Sequence, residues 1–323
     1  MNHSLKRLSL VTGSRGQDGS YLRELIGLDR SIGLINPQTK KVTIKKVPGE
    51  LSIDLSDYKA VFEILNRFQP DTVFHLAASH GPSGQMTYSS QDKELMHKIH
   101  VLGTQNLLRA SSELKLDTNV VIAGSKRIFG EPSFDLVADE QTPPNPIDFY
   151  GETKLMAWDL VREFRKNHGV AASFLILFNH ESPRRPEGYL SQSLSSQLAQ
   201  ILSGTSDQVK VNNANARADW SDARDVVKFM HGIGDKKICT DFVVGSGRCL
   251  SVMELINGAC KELGMDTPRV SSILPEAQTQ SIFCLSANQE RLRESGAWDP
   301  KRIIEGTLAE MVTTKTIETL KPK

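Results

Sequence analysis

Residues 7–19 read Arg-Leu-Ser-Leu-Val-Thr-Gly-Ser-Arg-Gly-Gln-Asp-Gly, and this stretch restricts the possible folds more than any other. An apolar run, Leu8 to Val11, breaks into glycines at Gly13, Gly16 and Gly19, and Ser20 to Ile26 then turns helical. A buried parallel strand feeding a tight turn and a helix N-terminus has this texture. Glycines let the backbone bend sharply and let a pyrophosphate reach the amide groups, where the helix end adds partial positive charge. The spacing is G-x-x-G-x-x-G rather than G-x-G-x-x-G, so the triplet alone also fits a plain strand-to-helix turn.

The rest of the first half supports the nucleotide-binding reading. Strands are expected at Thr72–Ala77, Val120–Ala123 and Phe174–Phe178, each a short apolar run of the kind covered on both faces. Helical patterns at Tyr58–Phe68, Lys93–Leu114 and Gly151–His168 separate them. This alternation implies a doubly wound parallel sheet, an α/β domain over residues 1–178 with a return near 222–250. Residues 179–323 read as a smaller mixed α/β lobe, with helices at Ser191–Ser203, Asp222–Met230, Ser251–Gly264, Ser286–Ser295 and Pro300–Leu320. Polar strands fall in Val209–Trp220, and an apolar one at Asp241–Gly245. One region reads poorly. The second strand is either Leu25–Asp29 or Ile32–Ile35, and either leaves a first crossover shorter than about a dozen residues. Asp29 would suit a free ribose 2′-hydroxyl, whereas Arg30 or Arg15 would suit a 2′-phosphate; NADP rather than NAD is the expectation.

Charge excludes several partners. The 39 basic and 38 acidic residues are spread along the 323-residue chain, so no basic block points to nucleic acid. No run of about 18 apolar residues suggests a membrane span, and a cytoplasmic protein is expected. Cys239, Cys249, Cys260 and Cys284 show no C-x-x-C spacing and read as small buried residues rather than a metal site or disulfide.

The second informative motif is Tyr150-Gly-Glu-Thr-Lys154. On a helix, positions i and i+4 share a face, so an ammonium would sit beside a phenol and lower its pKa toward acid/base use on a carbinol. The pattern follows a strand ending near Ser125, at the sheet edge where open α/β folds bind ligands.

Glycine turn, strand-end serine and Tyr/Lys pair together resemble the extended short-chain dehydrogenase/reductase family, in particular its GDP-mannose 4,6-dehydratase and GDP-sugar 4-keto reductase branch. The matching stretches are Val11 to Leu22, Asp54 to Asp57, Gln69 to Ala78, Tyr150 to Lys154, Leu177-Phe-Asn-His-Glu-Ser-Pro-Arg-Arg185 and Ala218 to Asp225. The resemblance implies a catalytic set of Ser125, Tyr150 and Lys154. It implies a cofactor, NADP or NAD, held by Gly13, Arg15, Gly16, Gln17, Asp18, Gly19, Arg30, Asp54, Leu55, Leu76, Ala77 and Ala78, with Tyr150 and Lys154. For the substrate, a nucleotide-diphosphate sugar (a GDP-sugar favoured), Lys126, Arg127, Asn179, Arg184, Arg185 and Arg217 are the candidates. No metal is expected.

The departures matter as much. Family dehydratases carry a carboxylate after that strand; here Ala123-Gly-Ser-Lys-Arg127 puts Arg127 in its place, and an arginine cannot act as general acid/base. Arg127 would instead hold an anion or form a structural ion pair. Ser193, Ala218 and Leu274 stand where basic residues would hold the nucleotide diphosphate. Together these favour hydride transfer at sugar C4, as 4-keto reduction or epimerisation. A dehydratase, or a cofactor-binding subunit or sensor without catalysis, is the alternative. His75 reads as a satisfied core histidine, His80 and His97 lie toward the substrate side, and Trp158 and Trp298 read as core. A homodimer is expected through the helices near Lys93–Leu114 and Gly151–His168, using Leu155, Trp158, Asp159, Val161 and Phe164. A tetramer through the Arg184–Arg185 loop is a further option.

Overall fold

The structure, a computed structural model, describes residues 7–37, 49–80, 87–273 and 283–320. In chain order its first part comprises β1 (Ser9–Thr12), α1 (Gln17–Ile26), β2 (Ser31–Ile35), β3 (Glu50–Ser52), α2 (Tyr58–Phe68), β4 (Thr72–His75), α3 (Ser90–Met96), α4 (Gly103–Glu113), β5 (Asn119–Ala123), β6 (Leu136–Ala138), α5 (Phe149–His168) and β7 (Ala172–Leu177). There follow β8 (Asn179–Glu181), α6 (Leu190–Leu202), β9 (Gln208–Val211), β10 (Arg217–Asp222), α7 (Ala223–Asp235), β11 (Phe242–Val244), β12 (Cys249–Ser251), α8 (Val252–Leu263), β13 (Arg269–Ser272), β14 (Leu285–Ala287), α9 (Glu290–Glu294) and α10 (Ile304–Leu320).

Seven parallel strands form the main sheet in the order β11-β7-β5-β4-β1-β2-β3. Strand order reverses on either side of β1, which pairs Ser9 with Ser31 of β2 and with Thr72 of β4. Such a reversal opens a crevice at the carboxyl ends of β1 and β4, beside the glycine turn. Every residue of β1, β4, β5 and β7 is buried, because helices cover both faces. Against one face, Leu22 and Ile26 of α1 meet Val226, Phe229 and Met230 of α7. Against the other, Val61 of α2, Leu107 of α4 and Trp158 of α5 share a core with β4, β5 and β7. A third core joins α6, α8 and α10 to β9.

Several expectations need correction. The second strand is the later candidate, and the first crossover is not short. Helix α1 begins at Gln17, directly on Gly16, so residues 13–30 supply a full connection. That places Arg30 immediately before β2, exposed at the strand's amino end. The glycine turn lies at the carboxyl ends of the same parallel strands, so Arg30 and Asp29 face away from it. On α5, Trp158, Val161 and Phe164 pack inward rather than forming an outward stripe; Trp158 stacks on Phe174 at 5.9 Å between centroids. Leu155 and Leu160 are half-buried against the same core, and Met156 is exposed. Cys249 and Cys284 form a disulfide, their Cα atoms 6.3 Å apart, because β12 and β14 both lie against β10. Cys260 is buried as expected, and Cys239 is exposed. Leu274 lies outside the described residues. No described helix is long and apolar enough to cross a membrane.

Candidate active site

The glycine turn is built for close approach. Gly13 has φ +66°, and a Cβ there would lie 2.8 Å from the Ala77 nitrogen; at Gly19 it would meet the Gly13 oxygen at 2.3 Å. Gly16 caps α1 without any side-chain bond to the first-turn amides, so those amides stay available to an anion. A cavity of about 690 Å³ opens over the turn. Gly13, Arg15, Gly16, Gln17, Asp18 and Gly19 line it, with Leu55, Leu76, Ala77 and Ala78 from the sequence-based candidates. Size, glycine cradle and open helix end fit a dinucleotide. The lining also includes residues no motif singled out: Leu34 to Asn36, Ile53, Ile99, Tyr189, Gln192, and Lys315 and Glu318 of α10.

Asp54 does not line this space, and Gln17, Asp18, Arg184 and Arg185, which do, are also bonded within the protein. Asp54 accepts from the nitrogen and hydroxyl of Ser56, at 2.9 and 2.7 Å, and closes the turn into α2. The Gln17 side chain donates to the His180 carbonyl and accepts from Ser182, while Asp18 pairs with His180 at 3.0 Å. Burial alone would favour neutral His180, but Asp18 raises its pKa, and the ring donates from Nδ1 to the Phe178 carbonyl. The polar run after β7 thus ties α1 to the second lobe. Arg184 continues this tie, bonding Glu24 and Ser20 and lying 3.9 Å over the Tyr21 ring. Arg185 lies 3.7 Å over Tyr189 and 3.4 Å from Glu181.

Ser125, Tyr150 and Lys154 do not line this cavity; the Tyr150 ring lies 5.3 Å from that of His80, which does. Asp148 caps α5 by accepting from Gly151 at 2.7 Å and so sets Tyr150 in the first turn. The Ser125 hydroxyl accepts from the Arg127 N–H at 3.3 Å and acts to lower the pKa of the phenol. Lys154 donates to the Ala123 carbonyl at 2.8 Å, and its Nζ stands 5.9 Å from the Tyr150 ring centre. Burial pushes the Tyr150 pKa up, with Tyr189 adding to it and Ser125, Arg127 and Arg185 opposing. The expected lowering by Lys154 therefore does not occur; dehydration outweighs a cation whose own pKa burial brings down to about 7.

Three histidines surround this group. His75 accepts from Thr12 and donates to the Ile99 carbonyl, as a satisfied core residue, with its pKa near 3 through burial. His80, exposed to solvent, packs 5.3 Å from the Tyr150 ring. His100 went unnoticed in the sequence. It sits in a π-helical turn, residues 97–102, that joins α3 to α4 and swings its ring inward. Ser79 N–H donates to its Nε2, so Nδ1 carries the proton and donates to Thr153, which donates to the Tyr150 carbonyl. His97, on the same turn, is exposed.

Arg127 forms the ion pair that competed with anion binding: it bonds Asp148, whose side chain is 1 % exposed, and lies 5.6 Å over the Tyr150 ring. Lys126 lies over the Phe178 ring, Asn179 starts β8, and Arg217 pairs with Asp135; none of the three lines the cavity. Among the described residues there is no cluster of potential metal ligands.

The parallel sheet with its reversal at β1, the glycine cradle, and the Ser/Tyr/Lys group at the strand ends define a fold of the extended short-chain dehydrogenase/reductase type. Residues 10–302 match the GDP-mannose 4,6 dehydratase family, and the chain belongs to that family. A GDP-mannose 4,6-dehydratase of Vibrio cholerae serotype O1 is 31% identical over 278 residues, covering 81% of this chain and 73% of that protein. The Sordaria araneosa GDP-mannose 4,6-dehydratase sdnI is 29% identical over 94% of this chain, which spans 60% of that protein's length. Among solved structures, a UDP-glucose 4-epimerase from Brucella ovis in complex with NAD superimposes with a TM-score of 0.79 at 20% identity, covering 96% and 98% of the two chains. RMD from Pseudomonas aeruginosa, complexed with NADPH, gives 0.76 at 19% identity, covering 96% and 99%. These two likenesses concern the fold.

Proposed function

We propose that the chain is an NAD(P)-dependent enzyme acting at C4 of a nucleotide-linked sugar, by 4-keto reduction or epimerisation rather than 4,6-dehydration. The Arg127–Asp148 pair carries this reading. Where a dehydratase needs a carboxylate to remove the C5 proton, a guanidinium lies over the Tyr150 ring. The nearby Asp148, its side chain 1 % exposed, has one oxygen on the helix cap and the other on Arg127, so it is held inside the protein rather than presented to a substrate. When bound, the cofactor supplies or accepts hydride at C4. Tyr150, kept protonated by burial, is suited to delivering its proton to the C4 oxygen, and Ser125 to holding that oxygen. Lys154 anchors the helix turn to the end of β5.

The family membership and the glycine cradle support a GDP-sugar as substrate. The purified protein is offered GDP-mannose with NADP, then a GDP-4-keto-6-deoxy sugar with NADPH. Turnover of the second without the first is expected; a 4-keto-6-deoxy product from GDP-mannose at an enzymatic rate would reverse the assignment. Cofactor binding with no turnover of any GDP-, UDP-, CDP- or dTDP-sugar would favour a non-catalytic subunit, a role to which the serine at position 193 and alanine at 218 lend some support.

The same reading includes a homodimer formed by the α3–α4 and α5 helices, where Met156 is exposed. Sedimentation as a 35.8 kDa species at micromolar concentration would reject it. Arg184 and Arg185 are engaged within the chain and give no argument for a tetramer.

A further inference from the structure

The Cys249–Cys284 disulfide is a cross-link for which the fold has little need. Small chains use such bonds to make up for a poor core, but three apolar cores already hold this chain of 323 residues. Its two sulfurs are unequally reachable, since Cys249 is half-buried and Cys284 is 3 % exposed. The Cys284 sulfur also stands 3.7 Å from the Leu285 carbonyl oxygen, an acceptor for the thiol that opening the bond would leave there. One reachable sulfur and an acceptor waiting for the other suit a bond that opens and recloses.

The bond lies on a packed path to the active site. Cys249 sits opposite Asp219 in the β10–β12 pair, and Cys284 leads into β14. Asp219 is fully buried and accepts from the Ala287 amide at 3.0 Å, so carboxylate and disulfide pin the two ends of β14 to the β10–β12 pair. Ala287 in turn packs too closely for a side chain to intervene: a Cβ at Gly245 would lie 2.8 Å from the Ala287 Cβ and 3.0 Å from the Phe178 Cβ. Lys126 Nζ stands 5.8 Å from the centre of the Phe178 ring, and Lys126 directly follows Ser125. The same bond anchors a second contact, because Asp135 accepts from the Cys284 amide at 2.8 Å and from Arg217 at 3.2 Å. None of these residues lines the cavity over the glycine turn.

We propose that the Cys249–Cys284 disulfide is a reversible redox latch on the β14 side of the active site. Opened by a dithiol, it loosens β14 and weakens the hold on the sugar nucleotide while leaving dinucleotide affinity unchanged. The latch rests on the sugar-nucleotide reading of the site and adds regulation to it. A thiolate of the dithiol attacks the Cys249 sulfur, breaking the S–S bond and releasing the Cys284 thiolate, which takes up a proton. The second thiol of the reductant then displaces Cys249 as its thiol, and the dithiol leaves as a disulfide, having supplied both electrons and both protons.

The purified full chain is equilibrated with oxidised or with reduced dithiothreitol, and its thiols are counted by alkylation after denaturation. Cys239 and Cys260 alone should react in the oxidised sample, and all four cysteines in the reduced one. Amide exchange over residues 284–288 should speed up about tenfold or more on reduction, the low end of what losing a cross-link over 35 positions allows. The KM for the sugar nucleotide should rise about fivefold or more and fall again on reoxidation, with dinucleotide affinity by titration staying within about twofold. Cys249→Ser should show the reduced behaviour in both buffers, and the wild-type readouts decide the matter if that variant fails to fold. Four reactive thiols in the oxidised sample, or a bond that resists reduction in the folded protein, would overturn the proposal. Unchanged exchange over residues 284–288, or a KM indifferent to redox state, would overturn it too. If no sugar nucleotide is turned over, the enzyme reading fails by itself, and the exchange rates and titrated sugar-nucleotide affinity still decide the latch.

Discussion

Lys154→Met should make the protein more stable at neutral pH while removing its activity. Burial lowers the Lys154 pKa from 10.5 to about 7, so folding at pH 7 works against a proton the unfolded chain holds firmly. At about 1.4 kcal/mol per pKa unit, the difference sets an upper limit of order 5 kcal/mol. Methionine fills similar volume without that cost, but it strands the Ala123 carbonyl, which now accepts the ammonium, at roughly 1–3 kcal/mol. A net gain of about 2 kcal/mol is expected, or roughly 3 °C in the unfolding midpoint of a chain of 323 residues. The sign also fixes a pH signature. Between the folded and unfolded pKa values the unfolded chain binds more protons, so this group's contribution to stability rises as pH increases from about 7 toward 10.5. About 2 kcal/mol of it should return between pH 7 and 9, and the wild type should show this rise relative to the variant. Calorimetry at the two pH values reads both effects. A variant less stable than wild type at pH 7, or one with an unchanged pH slope, would refute the reasoning.

Three further outcomes follow from the site. Tyr150→Phe should lower turnover by about a hundredfold or more, the scale of lost general-acid catalysis, while dinucleotide affinity measured by titration stays within about twofold. Asp148→Ala removes the α5 cap and the Arg127 partner; because Arg127 is 35 % exposed and can rehydrate, the loss should be about 1–2 kcal/mol, seen as a lower urea midpoint at unchanged m-value. His100→Leu leaves the Ser79 N–H and the Thr153 hydroxyl without their partner, which should destabilise by roughly 1–3 kcal/mol. His100→Asn, able to donate and accept, should recover part of the loss in a thermal melt.

What could be read in the sequence is what local chemistry determines. The strands of the main sheet announce themselves because both faces are covered and the runs are unbroken, and the glycine turn because no other residue permits its approach to Ala77. Strand β3 escaped notice: three residues at the sheet edge, with Leu51 and Ser52 exposed, carry no apolar period. The Cys249–Cys284 disulfide joins positions 35 apart through the shared neighbour β10, which no spacing rule encodes. Asp148 was legible in principle, as an acid just before a helix start. The Tyr150–Lys154 spacing was read correctly as one helix face. The direction of the Tyr150 shift was not, since the i,i+4 rule counts the charge and omits the water lost by a phenol buried against His100, with the charge of Tyr189 adding to the rise. Glu50 was hidden for a similar reason, as its partners Ser14, Arg15 and Arg23 meet it only through β2–β3 pairing.

Helix α10 belongs to the second lobe's core, yet it ends at the cofactor cavity, where Lys315 bonds Glu187 at 2.6 Å and Glu318 joins the lining. Nearer its start, Thr307 bonds Asp222 and Glu310 bonds Arg224, at the junction of β10 and α7. One helix therefore touches the dinucleotide space at one end and the sheet-side framework at the other. By mass action a dinucleotide at a hundred times its dissociation constant adds about 2.7 kcal/mol to the state that binds it. Part of that increment should appear as slowed amide exchange along residues 304–314, outside the cavity lining. Dinucleotide occupancy would thus be written into the second lobe as rigidity.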